Sequence, residues 1–302
     1  MKQLFYKFIY FPPINFSLRK FIRFLGGNKN LKLNLPPSGT LRIKLSSGKI
    51  LRLKTNQTSQ LTRRLYWQGY QSFEYTPIFE KLIHKISVFY DIGANIGYYS
   101  LLAAVENKNV RVVGFEPAAS PFYYFRENIK INHLSNVKAE PIAIAESEGD
   151  ITFYEIKNDK YTYMPHNLAG ESNAGTKTKG RNYIKNFVPG ITLDRYVTLH
   201  EKENIDLIKM DTEGTEASIL AHSDQVLSQM KPIVICETLY DTIESKLETI
   251  FKRHDYLFFN HTPQGLQKTD TIIRSADDGI RDCFFVPPEK VHLIEEFIIE
   301  PS

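Results

Sequence analysis

The sequence predicts an α/β protein: a doubly wound, mostly parallel sheet with helices on both faces, preceded by a basic extension that contains a β-hairpin. Three observations carry this expectation. From residue 87 onward, Val/Ile-rich runs alternate with helix-periodic runs. Those strand runs are apolar on both sides, as strands covered by helices on two faces are. Ahead of them lies a segment of different composition, in which residues 1–73 hold 14 Lys/Arg and no acid. We expect an extension over 1–75 and a main domain over 76–302.

The elements follow in order. "FSLRKFIRFLGG" spaces Phe16, Leu18, Phe21, Ile22 and Leu25 as a basic amphipathic helix does, with Gly26 and Gly27 as its stop. Such a helix either packs on the main domain or lies on an anionic membrane. "TLRIKLSSGKILRLK" alternates around Ser-Ser-Gly, a hairpin signal. Residues 60–86 read as helical. Then come strand "SVFYDIG", helix "GYYSLLAAVEN", strand "NVRVVGFEP" and a helix that Ser120 would cap and Pro121 would start. "NVKAEPIAIAE" and "DITFYEI" read as strands, and residues 157–190 as polar and poorly periodic. "NIDLIKMDTEG" is a strand, "TEASILAHSDQVLSQM" a helix, "KPIVICET" a strand and "YDTIESKLETIFKRHDY" a helix. "YLFFNHT" and "DCFFVPP" close the chain as late strands.

Composition bounds the class. A hydrophobic fraction of 42% is enough to build a large core, and no apolar run reaches the length of a bilayer crossing. Two cysteines, Cys236 and Cys283, are too few for a disulfide scaffold or a zinc cluster. We expect a cytoplasmic location, with peripheral attachment at the inner face of a membrane as an extension of that reading. The formal charge of +4 conceals an asymmetry: beyond residue 73, the other 24 Lys/Arg face all 34 acids, a net −10. The basic segment therefore faces something anionic, or the acidic body of its own chain.

The chemistry concentrates where strands end. In "VFYDIGANIGYYS", Asp91 closes a strand and Gly93 and Gly97 shape the turn into a helix. Ligands of doubly wound sheets sit outside such ends. A carboxylate there opposes a pyrophosphate and favours a cationic or zwitterionic ligand. S-adenosylmethionine, with an ammonium, a carboxylate and a sulfonium, meets that description, with Asn95 beside it. Glu116, 25 residues after Asp91 at the next strand end, can accept both hydroxyls of a ribose. Pro117 would flank an adenine, with Ala143 and Glu146 at its edge. After the fourth strand, "MDTEGTE" clusters Asp211, Glu213 and Glu216 around Gly214, and Thr212 or Thr215 could cap the following helix. One of these carboxylates could take a proton from an attacking hydroxyl. Alternatively, Asp211 with a neighbour could hold a divalent cation that lowers the hydroxyl pKa. Glu237, ending "IVICE", is a further wall residue with a catalytic assignment. No nucleophile elbow is present, and His166 and His222 read as surface residues.

Together, "YDIGANIGYYS", "GFEP", "ITLDRYV" and "IDLIKMDTEGTE" resemble the FkbM family of S-adenosylmethionine-dependent methyltransferases, from about Leu82 to about Glu237. The resemblance implies a Rossmann-like methyltransferase fold. It also implies methyl transfer to a hydroxyl oxygen of a sugar, glycan precursor or natural product. It implies cofactor contacts at Asp91, Gly93, Asn95, Gly97 and Glu116, and marks Asp211, Glu213, Gly214 and Glu216 as a second signature. "LAGESNAG", with Asn173 and Gly175, would help form the acceptor pocket. The acid-free N-terminus departs from the family pattern and fits an acceptor held at a membrane. Nucleic acid is a disfavoured partner, because "DTEG" stands where base-amine methyltransferases carry a Pro-Pro-aromatic run. Two other readings stay open: an RNA-associated methyltransferase using the basic arm, and a cofactor-binding module without activity.

Overall fold

The strands Val88–Ile92, Arg111–Phe115 and Leu207–Met210 end where their apolar runs end, just ahead of Gly93, Glu116 and Asp211. The computed structural model describes residues 2–26, 34–156, 160–169, 173–175, 182–200, 204–238 and 240–299; Gly27, the second residue of the expected helix stop, lies outside them. Two helices, α1 (Lys2–Ile9) and α2 (Pro12–Phe24), lead into a hairpin, β1 (Gly39–Lys44) and β2 (Ile50–Thr55). Next come α3 (Gln60–Trp67) and α4 (Thr76–Leu82). The wound region then runs β3 (Val88–Ile92), α5 (Tyr98–Glu106), β4 (Arg111–Phe115), α6 (Ala119–Ile131) and β5 (Val137–Glu140). A small sheet follows from β6 (Ala143–Ile144), β7 (Gly149–Ile156) and β8 (Tyr183–Ile191). After it come α7 (Leu193–His200), β9 (Leu207–Met210), α8 (Glu216–Leu220), β10 (Ile233–Glu237) and α9 (Glu244–Arg253). The chain ends in β11 (Leu257–Thr262), β12 (Gly265–Thr269), β13 (Asp282–Val286) and β14 (Ile298–Ile299).

The main sheet has the order β14-β12-β11-β13-β10-β9-β3-β4-β5. Five successive strands running in from one edge, β5-β4-β3-β9-β10, are parallel. The late strands depart from the parallel pattern: β13 inserts antiparallel between β10 and β11, and pairs with both. Alternate residues of β3 enter two different cores. Phe89 faces one, with Phe79, Leu101 and Val112; Val88, Tyr90 and Ile92 face the other, with Val113, Ile208 and Val234. Two apolar faces leave no polar alternation to read, which is why these strands look uniformly hydrophobic. Cys236 and Cys283 are buried free thiols and pair in register across β10 and β13.

Several local expectations are corrected. "NVKAEPIAIAE" is not one strand: Pro141 divides it, so β5 joins the main sheet and β6 the small one. Part of the segment expected to be irregular is β8, paired with β7 from Tyr183 to Gly190. Its Lys, Asn, Pro and Gly residues hide the strand, which is set by pairing. The helix expected over "TEASILAHSDQVLSQM" ends after Leu220, and a separate π-type turn covers Val226–Met230. Ser120 does not cap α6; Ala118 holds that position with no side-chain cap bond, and the Glu116 carboxylate accepts from the Ala118 N–H instead (2.8 Å). Neither Thr212 nor Thr215 caps α8, and Thr215 holds the cap position without a side-chain bond.

The N-terminal hairpin is built into the same core. Leu41, Ile43, Leu51, Leu53 and Leu65 share one apolar cluster with Phe79, Leu102 and Phe125. The free edge of β2 is held by two asparagines of α6: Asn128 accepts from the Lys54 N–H (2.5 Å) and Asn132 from the Arg52 N–H (2.9 Å).

Candidate active site

Three strand ends meet at the point where the sheet reverses direction of winding, between β3 and β9. The turn after β3 needs left-handed backbone three times in five residues, at Gly93, Asn95 and Gly97. At Gly93 there is a second reason for glycine: a Cβ would lie 1.9 Å from the Asp211 carbonyl oxygen. At Gly97 it would lie 2.1 Å from the Phe125 ring. Both glycines therefore make room for protein. The Gly93 and Ala94 N–H groups donate to the Phe115 carbonyl (3.0 and 2.9 Å), and the Asp211 N–H donates to the Ile92 carbonyl (3.1 Å). The ends of β3, β4 and β9 are thus laced together.

A cavity of about 1090 Å³ opens over these ends. Asp91, Gly93, Asn95, Glu116, Pro117 and Ala143 line it, and so do Asp211, Glu213 and Glu237. Among the described residues, Gly97 is the exception within the predicted set: it is buried against Phe125 and does not line the cavity. Glu216 has a different role from the one its cluster suggested. It is fully buried, and its two oxygens accept from the Thr212 and Gly214 N–H groups (2.7 and 3.0 Å). That carboxylate holds the Asp211–Gly214 loop in shape, with Glu213 and Gly214 both at positive φ. Glu146 is in the wall and accepts from the Ser218 hydroxyl (2.5 Å). In the predicted acceptor segment, Ala174 lines the cavity, while Asn173 is buried and bridges to Tyr154.

Lys209 is the residue that sequence reasoning missed. It sits inside an apolar strand run, and its side chain is buried. Its Nζ lies 3.6 Å from Asp91 Oδ1 and 3.7 Å from Asp211 Oδ2, and donates to the Gly93 carbonyl (3.2 Å). Burial works against its charge, but Asp211, Asp91 and Glu74 outweigh that and hold the ammonium charged above its ordinary range. A lysine breaking the run "IDLIKMD" one residue before the loop is the signal that could have found it. Asp91 consequently does not front the cavity as a bare charge. Its Oδ2 accepts from the Ser100 N–H and hydroxyl (3.1 and 2.7 Å), and Lys209 compensates the other oxygen. With Lys209 beside it, Asp91 opposes a diphosphate less than a bare carboxylate would.

Glu116 is buried, and its oxygens accept from the Asn95 and Ala118 N–H groups (both 2.8 Å). Burial raises its carboxyl, and those N–H bonds and Lys209 only partly oppose this, leaving it at about 7. Glu74, also missed, reaches the cavity from the segment before α4 and accepts from the Tyr99 hydroxyl (3.0 Å). The protein crowded around it, then the Asp211 carboxylate, push it up to about 7. Asp282 stands opposite Glu237 in the β10–β13 register, and burial followed by Glu74 and Glu237 pushes its carboxyl well up. Among the described residues, eight acidic side chains line the cavity against two basic ones, Arg64 and Lys209. No group of three His, Cys, Asp or Glu among them has metal-holding geometry, and a cation, Lys209, already bridges Asp91 and Asp211. Thr58, Ser59 and Arg64 of the N-terminal region, with Ile151, Phe153 and Asn186 of the small sheet, complete the walls. His166 stacks on Tyr123, and His222 meets the Ser218 carbonyl outside the cavity.

The fold and this cavity define a doubly wound domain with a cavity over the carboxyl ends of its parallel strands. The methyltransferase FkbM domain profile matches residues 91–259, more than half of the chain, and the protein belongs to that family. It is 27% identical over 176 residues to methyltransferase sdnD of Sordaria araneosa, covering 49% of this chain and 64% of that protein. It is 38% identical over 69 residues to 31-O-demethyl-FK506 methyltransferase FkbM of Streptomyces tacrolimicus, covering 22% and 26%. The chain thus spans less than two thirds of the length of either relative. Among solved structures, methyltransferase FkbM from Methylobacillus flagellatus KT aligns with a TM-score of 0.43 at 16% identity, covering 66% of this chain and 43% of that one. M. jannaschii TYW2 in complex with AdoMet aligns with a TM-score of 0.39 at 14% identity, covering 83% and 88%.

Proposed function

We propose that this protein is an S-adenosylmethionine-dependent O-methyltransferase acting on a hydroxyl of a sugar, glycan precursor or natural product. The observation that carries this reading is the cavity's acidic lining, eight acidic side chains against two basic ones at the carboxyl ends of the parallel strands. Such a site suits a cationic cofactor and gives an attacking hydroxyl several proton acceptors. Membership in the FkbM methyltransferase family supports methyl transfer. The name of the relative that matches at 38% supports oxygen as the acceptor atom.

The residues fit the cofactor. Asp91 Oδ1 is buried without a hydrogen-bond donor, and Asn95 sits exposed on the turn above it. Asp91 and Asn95 would hold the amino-acid end, Glu116 the ribose, and Pro117 with Ala143 the adenine. When bound, S-adenosylmethionine supplies an electrophilic methyl group on a sulfonium. Asp211 and Glu213 lie on the other side of the β3 turn and would take the proton of the acceptor hydroxyl. Asp211 is half exposed to the cavity, with Lys209 Nζ 3.7 Å from its Oδ2. Holding the hydroxyl in line supplies most of the rate enhancement.

The test pairs calorimetric titration of S-adenosylhomocysteine with transfer of labelled methyl groups to a panel of glycans and polyketides. Asp211→Asn should bind S-adenosylhomocysteine within a few-fold of wild type and lose about 10²–10⁴ in turnover. Equal loss of affinity and turnover would show that Asp211 only shapes the cofactor site. Failure of S-adenosylhomocysteine to bind would end the reading.

A further inference from the structure

Helix α2 buries two polar residues, and both N-terminal helices turn phenylalanines to solvent. In α2, the inward face carries Asn15 and Arg19, 0% and 2% exposed. Asn15 donates to the Pro36 carbonyl (3.1 Å) and accepts from the Ser38 N–H (3.0 Å) and from Arg19 Nε (2.9 Å). The Arg19 guanidinium lies 4.3 Å from the centre of the Tyr66 ring. The outward face carries Phe16, Phe21 and Phe24, the last 87% exposed. In α1, Gln3 donates to the Lys160 carbonyl (3.0 Å) and Tyr6 meets Tyr161 edge-on (5.2 Å). On the other side Leu4, Phe5 and Phe8 point to solvent. Phe11 between the helices and Leu25 after them are exposed too. A helix on a water-facing surface arranges itself the other way round, with its apolar stripe inward. An exposed apolar patch of this size marks an interaction surface.

We infer that this face is a docking surface for an anionic membrane, with α1 and α2 lying in the plane of the lipid headgroups. The charge around the patch selects the occupant. Lys2, Lys7 and Lys20 are exposed among these rings, whereas Arg23 stacks on Tyr66 and donates to its carbonyl, and no acid stands in α1 or α2, so a negative surface is complementary to the two helices. Neither helix, at 8 and 13 residues, can cross a bilayer, and none of the described helices is long and apolar enough to do so. The helices therefore lie on the surface, phenylalanines down and cations at headgroup level. The seat is beside the cavity: Tyr161, which packs against Tyr6 and Tyr10, also lines the cavity wall.

The test is co-sedimentation of the full chain with vesicles of equal parts phosphatidylcholine and phosphatidylglycerol, and with phosphatidylcholine alone. Binding is expected to the mixed vesicles and to fall at least ~10-fold on the neutral ones. A triple variant, Phe16→Ser, Phe21→Ser and Phe24→Ser, should lose vesicle binding while keeping the wild-type unfolding transition, because those rings touch solvent and not core. Lys2→Glu with Lys20→Glu should weaken binding by roughly 10-fold or more at low salt. The inference is overturned if wild type ignores mixed vesicles or if the triple variant binds them undiminished. It is equally overturned if the triple variant instead dissolves a lipid-independent dimer in sedimentation velocity, or abolishes binding to a single-stranded RNA probe that lipid does not displace.

Discussion

Charge compensation at single residues sets the chemistry of the site. Lys209 offsets the cost of burying Asp91, because one ammonium faces the carboxylates of Asp91 and Asp211 together. Glu116 has no such close partner and titrates at about 7. Its folded-state pKa is raised, so the folded protein keeps a proton that the unfolded chain releases. In the free protein this residue's contribution to stability therefore falls as pH rises from its ordinary value, 4.5, to about 7. A ligand whose hydroxyls donate to the ionised form pulls the other way. Affinity for S-adenosylhomocysteine should then rise between about pH 6 and about pH 8. Glu116→Gln should flatten that profile and weaken binding roughly 10-fold. Glu74 also sits at about 7 but its charged neighbours are Asp211, Lys209 and Arg64 and not Glu116, so Glu74→Gln should leave the affinity profile in place. Calorimetry across that range decides between the two residues.

At the scale of elements, the site depends on two loops that interlock. The β3–α5 turn and the β9–α8 loop approach so closely that Gly93 has no room for a methyl group. Gly93→Ala should cost about 3 kcal/mol or more, from overlap with the Asp211 backbone and from positive φ together. It should also displace Asp211, so turnover falls along with the urea midpoint. A midpoint within experimental error of wild type would show that the loops can separate cheaply. The order of the two loops in the sequence could not reveal this contact, since 116 residues separate Gly93 from Lys209, which donates to its carbonyl. The signals that were legible are local ones: a strand run ending on Asp91, glycines in the turn, and an acid at the end of β4. The part Glu216 plays is not legible in sequence, because a loop-holding carboxylate and a catalytic one look alike until their N–H partners are seen.

At the scale of the whole molecule, the basic segment is structurally continuous with the domain. The hairpin and α3 contribute Leu51, Leu53 and Leu65 to the core beneath α5 and α6, and Thr58, Ser59 and Arg64 to the cavity wall. A chain beginning at Thr76 would expose Phe79, Leu102 and Phe125 to water. We expect it to lack a cooperative thermal transition, whereas a chain beginning at Ser38, which keeps the hairpin, should retain one. Equal cooperativity in the two truncations would show that the hairpin is an ornament on an independent core.

What the sequence determined by itself is the wound α/β architecture, the family, and the acids at the ends of β3, β4 and β9. These follow from periodicity and from motifs spanning a few residues, where neighbours in sequence are neighbours in space. Only the tertiary structure decided that Lys209 neutralises Asp91, that Gly97 seats Phe125, that β13 enters the sheet between β10 and β11, and that α1 and α2 turn their phenylalanines to solvent. Each of those depends on groups brought together across long stretches of chain. A helix's periodicity says that it has two faces, but which face turns inward depends on what the rest of the chain offers it.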